Sequence, residues 1–262
     1  MFETESMEAS KEIHIFHLKR KGGEPLFLHG LKQGRALIEQ LRAGRLLGRY
    51  GEEPRVESLT MFRNELYRRI ESAVRDWIAD IRFTPRFIVS AAVFLASYFA
   101  FVFMIRVPLP FPHRILLSVG AAAAAYIFLG RRYQSSDTAV KTRIELRTAI
   151  DGIHFTESEF IKQVESYMAW FDELEPADML KAYLEKPFPL EPDWAVEADA
   201  LLAALKPLTE GRGQRAVEKR LLELGAGKAV QLEADRPLSL PGRKTDLPLI
   251  FLSKKLREKQ PA

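Results

Sequence analysis

Two uninterrupted apolar runs lie back to back in the first half of the chain. Residues 87–105 (FIVSAAVFLASYFAFVFMI) and 115–129 (ILLSVGAAAAAYIFL) carry no charged side chain, and only RVPLPFPHR separates them. At a helical rise of about 1.5 Å per residue the first run is roughly 28 Å long, close to the ~30 Å hydrocarbon core of a bilayer. The second is roughly 22 Å, and its ends extend if His113, Arg114, Arg131 and Arg132 snorkel to the interfaces. A buried hairpin in a soluble protein would rarely place two charge-free runs side by side with arginine at the rims, so the pattern reads as a two-span membrane hairpin. Pro85 suits an opening helical turn, and Pro108, Pro110 and Pro112 stop a helix from running through the connector. The spans, at about 87–105 and 114–130, are therefore expected to be antiparallel neighbours.

A hairpin puts both flanking segments on one side. Arg68, Arg69, Arg75, Arg82 and Arg86 precede the first span, and Arg131, Arg132, Lys141, Arg143 and Arg147 follow the second. The connector has only Arg106 and Arg114. This asymmetry predicts cytoplasmic termini. The opening MFETESMEASKEIH has no basic region followed by an apolar stretch, so no cleavable signal is expected. The absence of cysteine rules out disulfides, thiolate metal sites and a cysteine nucleophile, and accords with a reducing compartment. The expected location is a bacterial inner membrane, crossed twice.

The net charge of +4 is uneven. Residues 1–86 carry 16 Lys and Arg against 13 Asp and Glu, whereas residues 131–262 carry 21 against 22. A basic excess next to the spans suits anionic headgroups, and no nucleic-acid partner is expected. Within the spans, Ala92, Ala96 and Ala100 recur every four residues, as do Ser118 with Ala122 and Gly120 with Ala124. Such spacing lets helix backbones approach closely in lipid. Packing within the hairpin is the favoured reading, and packing between subunits the alternative. The two apolar runs hold no Asp, Glu, Lys, Arg or His, which argues against a proton-coupled transporter.

The N-terminal segment, 1–86, opens with EIHIFHL and PLFLH around a KRKGGE turn, a pattern for a small β-hairpin. Residues 31–47 read as a helix with Leu37, Ile38 and Leu41 on one side. Arg35, Arg42, Arg45 and Arg49 fall opposite, as a solvated face or a contact for lipid headgroups or an acidic partner. Gly34, Gly44 and Gly48 weaken that helix. Residues 56–81 carry a continuous apolar stripe: Leu59, Phe62, Leu66, Ile70, Val74, Trp77 and Ile81. The helix is expected either in the headgroup plane or, slightly favoured, as a stalk packed on another helix.

In the C-terminal segment, 131–262, residues 140–150 alternate like a half-exposed strand, with a helical extension of the second span as the rival reading. Residues 153–155 would then pair back. Thr156 or Ser158 caps a helix reaching Leu174, whose stripe is expected to mate with that of 56–81. Shorter helices follow at ADMLKAYLEK, 194–205 and 215–224. The tail from Val230 reads as extended, ending in a short segment docked through Leu249, Ile250 and Phe251 and a mobile KKLREKQPA. The two flanking segments are expected to share one domain, because neither alone offers a large core.

The search for chemistry is mostly negative. GAGKA at 225–229 lacks the first glycine and the Ser/Thr of a phosphate loop and suits a helix cap better. GRG at 211–213 reads as a linker. His14 and His17 fall on opposite faces of a strand, and His29, His113 and His154 are isolated. A metal site built from His14, His29 or His154 with a carboxylate is a minor alternative, and no cofactor is expected. Asp172, Glu173, Glu175 and Asp178 read as a solvated face. The fold expected is a mainly α integral membrane protein: a two-span hairpin (87–130) and an α-rich α+β cytoplasmic domain. Its leading function is a membrane anchor whose domain recruits a protein partner. An oligomeric channel or effector is the alternative, and a membrane-bound enzyme ranks third.

Overall fold

A computed structural model describes residues 11–20, 25–104, 110–174, 176–209 and 246–258. These residues are mainly helical, with one small mixed sheet, and two helices are long and apolar enough to cross a membrane. They divide into two compact units, one drawn from 11–31, 44–62 and 152–258, the other from 32–43 and 63–151.

The first unit is built on a four-stranded sheet, order β2-β1-β3-β4. Strand β1 (Lys11–Leu18) pairs antiparallel with β2 (Leu26–His29), the hairpin that the alternating pattern predicts. Strand β3 (Gly44–Tyr50) lies parallel to β1, and β4 (His154–Glu157) lies parallel to β3. The sheet thus joins residues from both sides of the apolar hairpin. Phe16, Leu18 and Leu28 point from one face into a core closed by three helices: α6 (Glu159–Asp172), α8 (Ala195–Thr209) and α9 (Leu247–Glu258). A short helix, α7 (Pro176–Glu185), adds Tyr183. Phe160, Ile161, Val164, Met168 and Phe171 all turn inward, the i, i+4 stripe of an amphipathic helix. Ser158 caps α6 by accepting from the Ile161 amide at 3.3 Å.

Glycine makes two close approaches possible in this unit. A Cβ at Gly48 would lie 2.6 Å from the Phe155 ring, the neighbour across the β3–β4 ladder. A Cβ at Gly51 would meet the Lys162 amide nitrogen at 2.8 Å and the Glu165 carboxylate. Glu165 accepts from the backbone amide of Lys19 at 2.7 Å, so the loop after β3, the end of β1 and α6 close around one carboxylate. Burial pushes the Glu165 carboxyl up from its ordinary range.

The second unit contains α1 (Arg35–Ala43), most of α2 (Val56–Ile81), the two apolar helices and α5 (Asp137–Asp151). Gly34, at φ 62°, turns the chain into α1. Helices α2 and α5 are antiparallel. Tyr67 bonds Asp151, Glu71 pairs with Arg147 at 2.7 Å and Arg143 at 2.8 Å, and the Arg75 carbonyl accepts from Gln134 at 3.0 Å. Leu66, Ile70, Val74 and Ile78 of α2 are buried in this unit, as are Leu37, Ile38 and Leu41 of α1 and Ala139, Leu146 and Ile150 of α5. The stripe of α2 is therefore packed, as a stalk would be, although Ile78 is buried where Ile81 was expected.

Several expectations are corrected. Residues 140–150 are helical, not a strand: the buried set Ala139, Thr142, Leu146 and Ile150 steps by three, four and four, while Ile144 is 60% exposed. Residues 153–155 consequently have no strand there to return to, and β4 pairs with β3 instead. The helix read over 31–47 stops at Ala43. Gly44 and Gly48 disfavour helix, and pairing with β1 satisfies the backbone of 44–50 in a sheet. Helix α6 buries its stripe in the sheet core instead of mating with α2. The segment around Leu249, Ile250 and Phe251 is a 12-residue helix with all three side chains buried, and it carries the basic Lys254, Lys255 and Arg257 within it. The helix read over 215–224, GRG and GAGKA lie outside the described residues.

Candidate functional site

Two places concentrate unusual chemistry, one in each unit. In the first, Arg49 on β3 shares a sheet face with His14, Leu47 and Thr156 by strand alternation. Its Nε lies 3.0 Å from Glu197 Oε1 of α8, and its Nη1 donates to Thr156 Oγ1 at 2.5 Å. Glu197 also accepts from Ser158 Oγ at 2.6 Å. One cation meets one carboxylate, and two hydroxyls complete the cluster. The arrangement ties β3, β4 and α8 together, and its charge is spent internally.

Among the described residues the histidines do not assemble a metal site. His14 and His17 are both buried and lie on opposite faces of β1, as their spacing predicts. His14 stacks on Phe16 at 5.8 Å, and His17 lies 4.9 Å from Phe27. Burial lowers both imidazoles below the usual histidine range; the Arg49 charge adds to the effect at His14. The Nδ1 of His14 and both nitrogens of His17 lack hydrogen-bond partners among the described residues. His29 Nδ1 accepts from the Leu31 amide at 3.3 Å, and His154 is exposed. Among the described residues no group of three or more His, Asp or Glu is arranged to hold a metal ion.

The four arginines predicted to share one helix face do not share it. Arg35 and Arg42 lie on α1; Arg45 and Arg49 lie on β3. Arg35 pairs with Glu39 at 3.0 Å, and Arg42 pairs with Glu145 at 2.9 Å while its guanidinium lies 5.8 Å from the Trp77 ring centroid. Arg45 is exposed, with no ion pair among the described residues.

The second place is the apolar hairpin. Helix α3 (Phe83–Phe99) runs on as a π-helical turn at Ala100–Met104, and α4 (Phe111–Gln134) returns beside it. Pro85 falls in the first turn of α3, Pro110 precedes α4 and Pro112 occupies its first turn, as their chemistry allows; Pro108 lies outside the described residues. Only 6% of either apolar window is buried. Phe87, Ile88, Leu116 and Phe128 are each at least 60% exposed. Ser118 is fully buried, and Ala100 and Ala122 are half-buried, whereas Ala92, Ala96, Gly120 and Ala124 are exposed. Nothing lies within 4 Å of a Cβ built on Gly120. The small residues thus fall into an inward and an outward set, a division that recurrence in sequence alone does not give.

Arginine closes the base of the hairpin. The Arg86 guanidinium lies 4.0 Å from the Tyr126 ring centroid and donates to the Tyr126 carbonyl at 3.3 Å. Arg82 lies 5.4 Å from the Tyr133 ring. Below them Arg143 donates to both the carbonyl and the side-chain oxygen of Gln134, at 2.7 and 3.0 Å, while pairing with Glu71. The apolar helices and the α2–α5 pair therefore meet at Gln134. The arginine–tyrosine contacts join residues 40 or more positions apart, and the sequence signalled only that arginines cluster there.

No protein-family model matches this chain, and no characterised protein or solved structure shows significant similarity to it.

Proposed function

We propose that the protein is a two-span membrane anchor that holds the mixed α/β unit at the cytoplasmic face of a membrane, where that unit recruits a protein partner. The observation that carries the reading is the outward display of apolar side chains along α3 and α4, bounded by Arg82, Arg86, Arg131 and Arg132 at one end and by His113 and Arg114 at the other. Exposed aromatic and aliphatic surface of this extent is costly in water and favourable in lipid. The basic rim supports cytoplasmic placement of both flanking segments, and a bacterial inner membrane is the location proposed. The compensated Arg49–Glu197 cluster supports a structural role for the sheet unit in preference to a catalytic one.

Alkaline carbonate washing of membranes from cells producing the full chain tests the anchor. The wild type stays in the pellet. Ala96→Arg with Ala124→Arg, two charges on outward positions, each costing roughly 2.5–3.5 kcal/mol near a bilayer centre, shifts the protein out of it. Release of the wild type would end the reading.

A second reading, a homo-oligomeric channel or effector, is favoured by the outward set Ala92, Ala96, Gly120 and Ala124, which leaves two close-approach faces open to neighbouring helices. The mass of the full-length protein in native lipid discs separates the two. A stoichiometric companion protein supports the anchor, and a defined homo-oligomer supports the second reading.

A further inference from the structure

An apolar groove of about 540 Å³ runs between α3 and α4 on the outside of the hairpin. Phe87, Ser90, Phe94, Val119, Ala123 and Tyr126 are among its lining residues. Its volume falls within the usual range for a site that takes one small molecule or chain. Its α3 residues run from Phe87 to Phe94 and its α4 residues from Val119 to Ile127, and its Phe87, Ser90 and Tyr126 end adjoins Arg86 at the base of the hairpin.

Two polar atoms there, Ser90 Oγ and Arg86 Nε, lack hydrogen-bond partners among the described residues. Ser90, 8% exposed, lines the groove, and its hydroxyl makes no hydrogen bond among the described residues. The other two serines of the spans, Ser97 and Ser118, are both satisfied by carbonyls of their own helices. Arg86 sits one turn before Ser90 with its guanidinium on Tyr126, a groove residue, and its Nε has no acceptor. Among the described residues, none of Arg82, Arg86, Arg131 and Arg132 forms an ion pair with a carboxylate. Elsewhere Arg20, Arg42, Arg49, Arg143 and Arg147 each pair with at least one.

We infer that this groove retains one acyl chain of an anionic glycerophospholipid, with Arg86 binding the phosphate of its headgroup. The chemistry is complementary at both ends: an apolar channel for the chain, and an uncompensated, half-buried guanidinium for the anion. Ser90 supplies a hydroxyl donor beneath the headgroup, within reach of an ester carbonyl. The inference rests on the anchor reading and adds a lipid preference that the anchor alone does not require.

The test is native mass spectrometry of the full-length protein, delipidated in detergent and titrated with dioleoyl phosphatidylglycerol or dioleoyl phosphatidylcholine. The expected result is one phosphatidylglycerol per chain, bound about tenfold more tightly than phosphatidylcholine. Arg86→Gln brings the two lipids to equal affinity, Arg86→Lys keeps part of the preference, and Ala123→Phe, which fills the groove, weakens both. Equal affinity in the wild type would overturn the inference, and that comparison needs no variant. So would a preference unaltered in Arg86→Gln, or a groove occupied by a second copy, seen as a dimer that phosphatidylglycerol does not perturb. Flotation of the wild type with vesicles keeps the two readings apart. A protein that floats without the preference removes this inference and leaves the anchor; one that does not float removes the anchor.

Discussion

Arg86 lies against Gly130: a Cβ built at Gly130 would stand 2.6 Å from Arg86 Nη2, so the glycine is what lets the guanidinium lie flat across α4 and reach Tyr126. Two effects oppose each other on Gly130→Ala. Alanine favours helix by roughly 1 kcal/mol, and displacing the cation from the ring loses about 0.5–1 kcal/mol. The expected outcome is a net change within about 1 kcal/mol in thermal unfolding in detergent, together with loss of the ring contact. A destabilisation of about 3 kcal/mol would mean that Gly130 also holds α3 and α4 together.

Helix α5 makes a prediction that a strand would not. Leu146 is 1% exposed and Ile144 60% exposed. Leu146→Ala should cost about 2–5 kcal/mol, and Ile144→Ala less than about 0.5 kcal/mol. In a strand the two side chains share one face, so similar costs in urea unfolding would favour the strand.

Three glycines should respond differently to alanine. Gly48→Ala presses on the Phe155 ring and on the His154 carbonyl at 3.0 Å, and Gly51→Ala presses on the Lys162 amide. Each should destabilise by about 1–3 kcal/mol. Gly120→Ala meets nothing and should be neutral or stabilise by up to about 1 kcal/mol. Equal effects at the three sites, read from chemical denaturation, would contradict the packing described.

The buried histidines predict acid sensitivity. His14 and His17 have pKa values lowered by burial, so the unfolded chain takes up protons that the folded one refuses. Stability is full above the unfolded histidine pKa, about 6.5, and falls as pH drops below it toward the folded values. The carboxyl of Glu165, raised by burial, acts with the opposite sign, its contribution being lost as pH rises through its folded value. His17→Phe, beside Phe27 on an apolar sheet face, should flatten the loss between pH 7.5 and 5.5. Urea midpoints that fall as steeply in the variant as in the wild type would assign the sensitivity elsewhere.

Strong periodicity was legible in the sequence. The charge-free runs, the α2 stripe, the β1–β2 hairpin and the Ser158 cap each depend on neighbours within one or two turns. What escaped depends on distant partners. Residues 140–150 satisfy period two and period 3.6 together, because Thr142, Leu146 and Ile150 belong to both sets; burial of Ala139 and exposure of Val140 and Ile144 decide. Residues 44–50 become a strand because β1 and β4 lie on either side of it, and β4 is more than a hundred residues away. Arg45 and Arg49 moved with it, which dissolved the expected basic helix face. The groove and the seat of Arg86 on Tyr126 could not be read at all, since they arise from how α3 and α4 face one another.

The central claim is that α3 and α4 cross a bilayer and return the chain to the side it left. Because the chain has no cysteine, single substitutions report alone. Glu53→Cys, His113→Cys and Asp193→Cys all fall at exposed positions. In intact spheroplasts a membrane-impermeant maleimide should label only His113→Cys, and in inverted vesicles only the other two. Labelling of all three from the same side would contradict the account.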